Sequence, residues 1–242
     1  MKNILLFLLL TLPVYSFSQQ YHPGDTTYVW NLDGTCLRQQ PSFGSGVVDT
    51  LKPGSPLVII SVLRNKPMAE KQVNTSILLK GFWIKVNTGN NTGYVFGGDC
   101  LALDPFPVLG GKNSPSLLDR FLGEKTGSKV VFKKYKYGKD STTYTVKETI
   151  TFYKNGTETS YFFDGCSSDD YYFPSATFTT IYHLMVLVVS HSALDEGVPE
   201  EYDKPVLRGV WDNVYEFDGV GALEPQIKVG KKGIRLSLSS CD

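Results

Sequence analysis

Short apolar runs separated by polar turns fill the chain between residues 26 and 103. Their β-branched and aromatic residues are typical of strands, which we predict at 28–30, 57–63, 82–86 and 94–96. The segment 88–93 is rich in Gly and Asn, which tolerate positive φ, and it predicts a tight hairpin turn. The polar segment 64–72 contains Pro67 and predicts a loop. Strands this short predict a small barrel over residues 19–103.

The pattern breaks after this region. Residues 104–113 contain two prolines and a Gly-Gly pair, which favours a linker. Apolar residues then recur at helical spacing over 117–122. Ser114 as N-cap, Pro115 at the first position and Gly123 after the end predict a short helix.

Residues 114–242 predict an α+β domain with an antiparallel sheet and one or two helices. Alternation over 143–152 and the run 130–137 predict two strands, and Asn155-Gly156 predicts a hairpin turn into 158–163. A further hairpin is predicted from 227–229 and 234–238. The segment 177–189 is ambiguous: its β-branched content favours a strand, whereas its apolar spacing favours a helix, which we prefer.

The first residues have the pattern of a secretory signal. Met1-Lys2-Asn3 precedes an apolar run over 4–14, and small residues at Ser16 and Ser18 suit cleavage after Ser18. The run is shorter than the ~20 residues that a membrane-spanning helix needs. No cysteine lies near this site, so a lipid anchor is not expected. We therefore predict a periplasmic or secreted protein with no transmembrane segment in the mature chain.

Charge and motifs narrow the function classes. Lys plus Arg equals Asp plus Glu, 24 each, which argues against a nucleic-acid partner, because such a protein needs a basic field. The chain contains no phosphate loop, nucleophile elbow or dinucleotide fingerprint. We therefore expect no cofactor and a binding protein rather than an enzyme.

Four cysteines in an exported chain predict disulfides, and four cysteines allow three pairings. Keeping each bridge inside one predicted domain favours Cys36 with Cys100 and Cys166 with Cys241; free buried thiols are the alternative. The cysteine spacing does not suit zinc. His183 and His191 are too far apart for a metal pair on one helix, so no metal site is expected.

Three segments carry a resemblance to a known family. They are Thr35-Cys36-Leu37-Arg38-Gln39-Gln40-Pro41-Ser42, Val47 to Gly54, and the hairpin Gly81-Phe82-Trp83-Ile84-Lys85-Val86 with Gly93-Tyr94-Val95-Phe96. Together they resemble the bacterial SH3-like domain over about residues 28–103. Departures are Cys36, Gln39-Gln40 and a longer loop over 64–80. In such barrels the opening and closing strands are neighbours, which also implies a Cys36–Cys100 bridge.

The resemblance implies a peptidoglycan peptide or an envelope protein as the ligand. Small binding sites often have aromatic floors, so the candidate ligand-binding residues are aromatic: Phe43, Trp83, Tyr28 and Tyr94. Phe43 and Trp83 are the preferred pair.

Two alternatives remain at this point. Asp164-Gly165-Cys166-Ser167 resembles the nucleophile segment of NlpC-type cell-wall peptidases, but the acidic pair Asp169-Asp170 opposes a thiolate, which favours a disulfide.

The acidic residues between 195 and 224 are interpreted as a solvated loop. The alternative is that they form the active site of an envelope hydrolase, with Asp212 and Glu216 as the candidate residues. A second alternative function is that of a structural adaptor without a small ligand.

Overall fold

The computed structural model describes residues 21–106, 115–137, 142–195, 204–219 and 223–241. The predicted signal peptide and most of the predicted linker lie outside these ranges. The described part is mainly β with two α-helices, which confirms the predicted fold class.

The N-terminal half forms a curled antiparallel sheet. Its strands are β1 (Thr26–Val29), β2 (Thr35–Arg38), β3 (Val47–Leu51), β4 (Pro56–Val62), β7 (Trp83–Asn87), β8 (Thr92–Phe96) and β9 (Cys100–Leu101), and a separate pair is β5 (Ala69–Gln72) with β6 (Leu78–Gly81). The sheet order is β3-β2-β8-β7-β4-β1-β9. Leu37 and Leu51 from one end of this order share a buried cluster with Val29 and Cys100 from the other end. The sheet therefore curls around one core, as a small barrel does.

The β5–β6 pair corrects a prediction and positions part of the site. Residues 69–72 were expected in a loop, but they pair with β6, with Lys71 opposite Leu79. Gly81 at the end of β6 lies against a short 3-10 helix, Gly97–Asp99. A Cβ on Gly81 would come within 2.3 Å of the Gly98 nitrogen, so only glycine permits this approach. The close contact holds β5 above Asp99.

The C-terminal half is an eight-stranded antiparallel sheet. Its strands are β10 (Lys125–Tyr137), β11 (Thr142–Tyr153), β12 (Gly156–Phe163), β13 (Cys166–Phe173), β14 (Val206–Trp211), β15 (Val214–Asp218), β16 (Leu223–Gly230) and β17 (Gly233–Cys241). The order is β10-β11-β12-β13-β17-β16-β15-β14. The loop predicted around residues 206–218 is therefore wrong, because these residues form the β14–β15 hairpin. Alternating exposed and half-buried residues mark β14 as an edge strand, in which acidic neighbours are tolerated.

Both predicted helices exist. The first, α1 (Leu117–Leu122), is capped by Ser116 rather than Ser114, because the Ser116 hydroxyl accepts the Asp119 N–H and the Asp119 carboxylate accepts the Ser116 N–H. Gly123 ends it with φ 79°. The second, α2 (Phe178–Asp195), confirms the helical interpretation of 177–189. It is buried on most sides, which explains its strand-like composition.

The structure contains one of the two predicted disulfides. Cys166 on β13 is bonded to Cys241 on β17, its direct cross-strand neighbour. The predicted Cys36–Cys100 bridge is wrong: the two residues are not joined. The strand beside β9 is β1, which places Val29 opposite Cys100, whereas Cys36 on β2 lies opposite Thr50.

One hydrophobic cluster spans both halves of the chain. Trp30, Leu79 and Trp83 of the N-terminal half share it with Leu122 of α1 and Leu184 of α2. Polar contacts reinforce this packing at one edge, because the Lys80 N–H donates to the Thr179 hydroxyl, which donates to the Lys80 carbonyl. The curled sheet is therefore packed on helix α2, and the eight-stranded sheet covers the other side.

Within the described ranges, neither helix has the length and apolar character that a membrane crossing requires.

Candidate functional site

Three aromatic rings form one wall of a cavity in the N-terminal half. Trp83 begins β7 and Phe96 ends β8, and the two are directly opposed across the hairpin. Phe43 comes from the loop between β2 and β3. Its ring centroid lies 4.9 Å from that of Trp83 and 5.4 Å from that of Phe96. Phe43 remains 39% exposed, so it provides the part of the wall that a ligand can reach.

A buried carboxylate, that of Asp99, also lines the cavity. Asp99 is only 1% exposed, yet both of its oxygens are satisfied. The Thr35 hydroxyl donates to Oδ2 at 2.8 Å, and Lys71 Nζ donates to Oδ1 and Oδ2 at 2.9 and 2.8 Å. Lys71 is half-buried and carries the matching charge. Pairing and full hydrogen bonding are what allow a charged group to be buried here.

His183 of the C-terminal half lies beside Asp99. It lies on α2, and its Nε2 is 3.7 Å from Asp99 Oδ1. Burial lowers the pKa of His183 to about 4, although the nearby Asp99 favours the charged form. Its Nε2 has no hydrogen-bond partner in the described part of the chain. The imidazole is therefore neutral at pH 7.

The cavity that the aromatic rings and Asp99 line has a volume of about 310 Å³. Cys36 and Arg38 of β2 also line it, as do residues of the neighbouring turn and strand: Asn31, Asp33, Gly34 and Thr50. The Arg38 guanidinium donates to the Ser45 carbonyl at 2.7 Å. The cavity thus combines an apolar aromatic surface with charged groups, which suits binding of a small amphipathic ligand.

The four predicted ligand-binding residues do not all lie together. Phe43 and Trp83 meet in the cavity wall. Tyr28 and Tyr94 lie outside the cavity lining, and both are partly buried against the large core cluster. Lys85 lies over the Tyr94 ring at 6.0 Å from its centroid, which occupies that ring's face. Tyr94 is two residues before Phe96 on β8 and shares its face of the sheet, so its position along the strand, and not strand alternation, separates Tyr94 from the cavity.

Sequence reasoning missed the polar side of the cavity. Asp99, Lys71 and Thr35 come from three separate segments, and His183 comes from the other half of the chain. A signal was present for Asp99, because an acid directly before Cys100 interrupts an apolar stretch that ends a barrel. The residues that contact Asp99 could not be predicted, because they are far from it in the sequence.

The residues considered for hydrolysis lie elsewhere. Asp212 is in the β14–β15 turn with φ 47°, and Glu216 on β15 accepts a hydrogen bond from Gln226 at 2.8 Å. Cys166 has no free thiol because it is bonded to Cys241. None of these three residues lines the aromatic cavity.

A second buried carboxylate, Glu148, lies on β11. Lys133 of β10 lies 2.6 Å from its Oε2, and the Tyr135 hydroxyl donates to its Oε1. Burial raises the pKa of Glu148, but the hydrogen bonds from Lys133 and Tyr135 outweigh burial and leave it lowered. These contacts brace the long β10–β11 hairpin. In the described residues, no group of three His, Cys, Asp or Glu side chains is placed to hold a metal ion.

The curled sheet and its cavity define an SH3-like barrel fused to a larger α+β sheet. Residues 33–101 match the model of the bacterial SH3 domain family, so the N-terminal half of the chain carries a bacterial SH3 domain. The match includes Phe43, Trp83, Phe96 and Asp99 and excludes His183. No curated protein and no solved structure matches the chain.

Proposed function

We propose that the protein is an exported cell-envelope binding module whose SH3 domain recognises a peptidoglycan peptide or an envelope protein. The bacterial SH3 domain suggests a cell-wall-binding module. The observation that carries the proposal is the cavity, which Phe43 and Trp83 line together with the buried Asp99 and its half-buried partner Lys71. Peptides combine apolar side chains with polar backbone groups, so they suit a wall of this mixed character.

Two features support a location outside the cytoplasm. The bacterial SH3 domain and the Cys166–Cys241 disulfide fit an extracellular protein, because disulfides persist in oxidising compartments. The pattern of residues 1–18 supports export by a cleaved signal. A periplasmic or secreted location is therefore part of the proposal.

We further propose that binding, and not catalysis, is the role of the cavity. Its carboxylate, Asp99, already accepts hydrogen bonds from Thr35 and Lys71 on both oxygens. A general base has to reach the proton that it takes from the substrate, and Asp99 is only 1% exposed. Cys166, the candidate nucleophile, is held in a disulfide.

The test is co-sedimentation of the protein, from Gln19 onward, with purified cell wall. We expect the wild-type protein to sediment and the Phe43→Ala variant to be retained roughly tenfold less, because an exposed aromatic anchor is lost. Phe132→Ala is the matched control, since Phe132 is 69% exposed but lies on β10, outside the cavity lining. Equal retention of the two variants would place binding outside the cavity. Absence of wild-type sedimentation, with no envelope protein captured, would refute the proposed function.

A further inference from the structure

The charges that line the cavity are not all paired. Asp99 is paired with Lys71, and Asp33 at the rim is paired with Lys204. Arg38 differs: no carboxylate of the described residues lies within 4.0 Å of its guanidinium. Its one hydrogen bond from the guanidinium to the protein is to the Ser45 carbonyl. A half-buried cation at the cavity surface is thus left without a counter-charge.

An unpaired arginine in this position favours an anionic ligand. A guanidinium has five N–H donors in a planar fork, and a carboxylate can accept two of them in parallel. Ser45 occupies one nitrogen, so the other donors remain for a ligand. The negative charge of Asp99 does not oppose this, because Lys71 neutralises it at 2.8 Å.

The aromatic wall narrows the class of anion. Phe43, Trp83 and Phe96 line the same cavity as Arg38. A ligand that uses both sides needs a carboxylate with an apolar group close to it. The volume of about 310 Å³ lies at the small end of ligand pockets, which suits the end of a peptide.

We propose that the cavity binds the carboxyl-terminal end of a short peptide, with the terminal carboxylate on Arg38 and the last side chain on the aromatic wall. This inference rests on the proposed function, that the SH3 domain recognises a cell-wall peptide. It predicts the direction in which the peptide binds. The carboxyl-terminal end enters the cavity, and the rest of the peptide extends past the exposed Phe43 ring. A peptide whose end is blocked binds poorly.

The experiment compares two soluble probes by isothermal titration calorimetry. The probes are Nα,Nε-diacetyl-Lys-D-Ala-D-Ala and the same peptide with a C-terminal carboxamide, so that only the terminal charge differs. We expect wild-type protein to bind the acid roughly tenfold or more tightly than the amide, as loss of a charge-assisted pair requires. Arg38→Gln removes this preference. Lys85→Gln is the matched control, because Lys85 is a cation on β7, two strands away from Arg38 in the sheet order, and lies outside the cavity lining.

The wild-type comparison needs no variant, so misfolding of Arg38→Gln does not affect it. Equal binding of acid and amide, or binding of neither, by protein that sediments with cell wall would overturn this inference and leave the proposed function standing. Absence of both cell-wall and peptide binding would overturn both. If inorganic phosphate at the same concentration displaced the acid peptide, the cavity would be a general anion site, and the inference of a specific peptide end would be overturned.

Discussion

At the scale of single residues, His183 shows how the two halves of the chain depend on one buried charge. His183 is 3% exposed and lies beside Asp99, whose carboxylate already accepts hydrogen bonds from Lys71 and Thr35. A proton on His183 would add a second cation beside Lys71 in a buried space. Because burial dominates, its pKa falls to about 4. The folded protein therefore resists protonation of this residue.

We predict that acid destabilises the protein through His183. The unfolded chain takes up the proton near the ordinary pKa of 6.5, whereas the folded chain does so only near 4. Stability that is present above pH 6.5 is therefore lost as the pH falls towards 4, by up to ~3 kcal/mol. Urea unfolding at pH 7 and at pH 4 measures this loss.

His183→Gln is the comparison for this prediction. Glutamine does not titrate, so the variant should lose less stability than the wild type over the same pH range. Asp99 and Lys71 are retained in both proteins, so the comparison changes only the group at position 183. Equal losses in the two proteins would show that His183 is not the responsible group.

At the residue scale, the sequence singled out individual side chains whose positions the structure then shows. Phe43 and Trp83 stand out as aromatics in a loop and on a short strand, and the structure places both in the cavity wall. The contact between Asp99 and His183 could not be predicted, because it joins two halves whose packing no local pattern records. The ligand role of these residues stays a prediction.

At the scale of elements, β13 and β17 are joined both by a ladder and by the Cys166–Cys241 bond. The bond spans a sequence separation of 75 residues. Closing a loop of this length restricts the unfolded chain far more than the folded one, by about 4 kcal/mol in chain-entropy terms. The bridge therefore stabilises the centre of the eight-stranded sheet.

We predict that replacing both bonded cysteines by serine lowers the free energy of unfolding by about 2–4 kcal/mol. Denaturant unfolding of the oxidised protein measures the change. Cys36→Ser is the control, because Cys36 is not in a disulfide and lies at the cavity surface. The same loss in Cys36→Ser would mean that the bond is not the source of the effect.

Strands and helices were predictable where the spacing of apolar residues along the sequence matched the side of the element that is buried. The hairpin at Asn155 and Gly156 and the strands of the barrel follow simple alternation. The strand β5 was missed because Ala69–Gln72 lies in a polar segment and is stabilised by its pairing with β6. The β14–β15 hairpin was missed because its acidic and exposed apolar residues suit an edge, which resembles a loop in sequence.

At the scale of the whole molecule, the barrel and the eight-stranded sheet share one core. Helix α2 lies between them, with Leu184 fully buried among residues from both halves. Removing either half would expose the apolar side chains that the other covers, including Trp30 and Leu79. The two regions predicted from the sequence therefore have a common interior, which composition along the chain could not reveal.

We predict that the two halves unfold in one transition. Leu184→Ala on α2 should lower stability by about 2–5 kcal/mol and should speed hydrogen exchange in barrel strand β7 as much as in sheet strand β16. Exchange followed by mass spectrometry under native conditions measures both strands in one sample. Val206→Ala, on exposed edge strand β14, should change neither. Faster exchange in β16 alone would show two independent units.

The position of β17 has a consequence for how the protein is made. It lies between β13 and β16, although the other seven strands of the sheet precede it in sequence. During synthesis, β10–β13 and β14–β16 can form only two partial sheets, whose facing edges lack a partner until β17 emerges. The Cys166–Cys241 disulfide likewise cannot form before Cys241 has been synthesised. The eight-stranded sheet can therefore be completed only after the last of its strands has been synthesised.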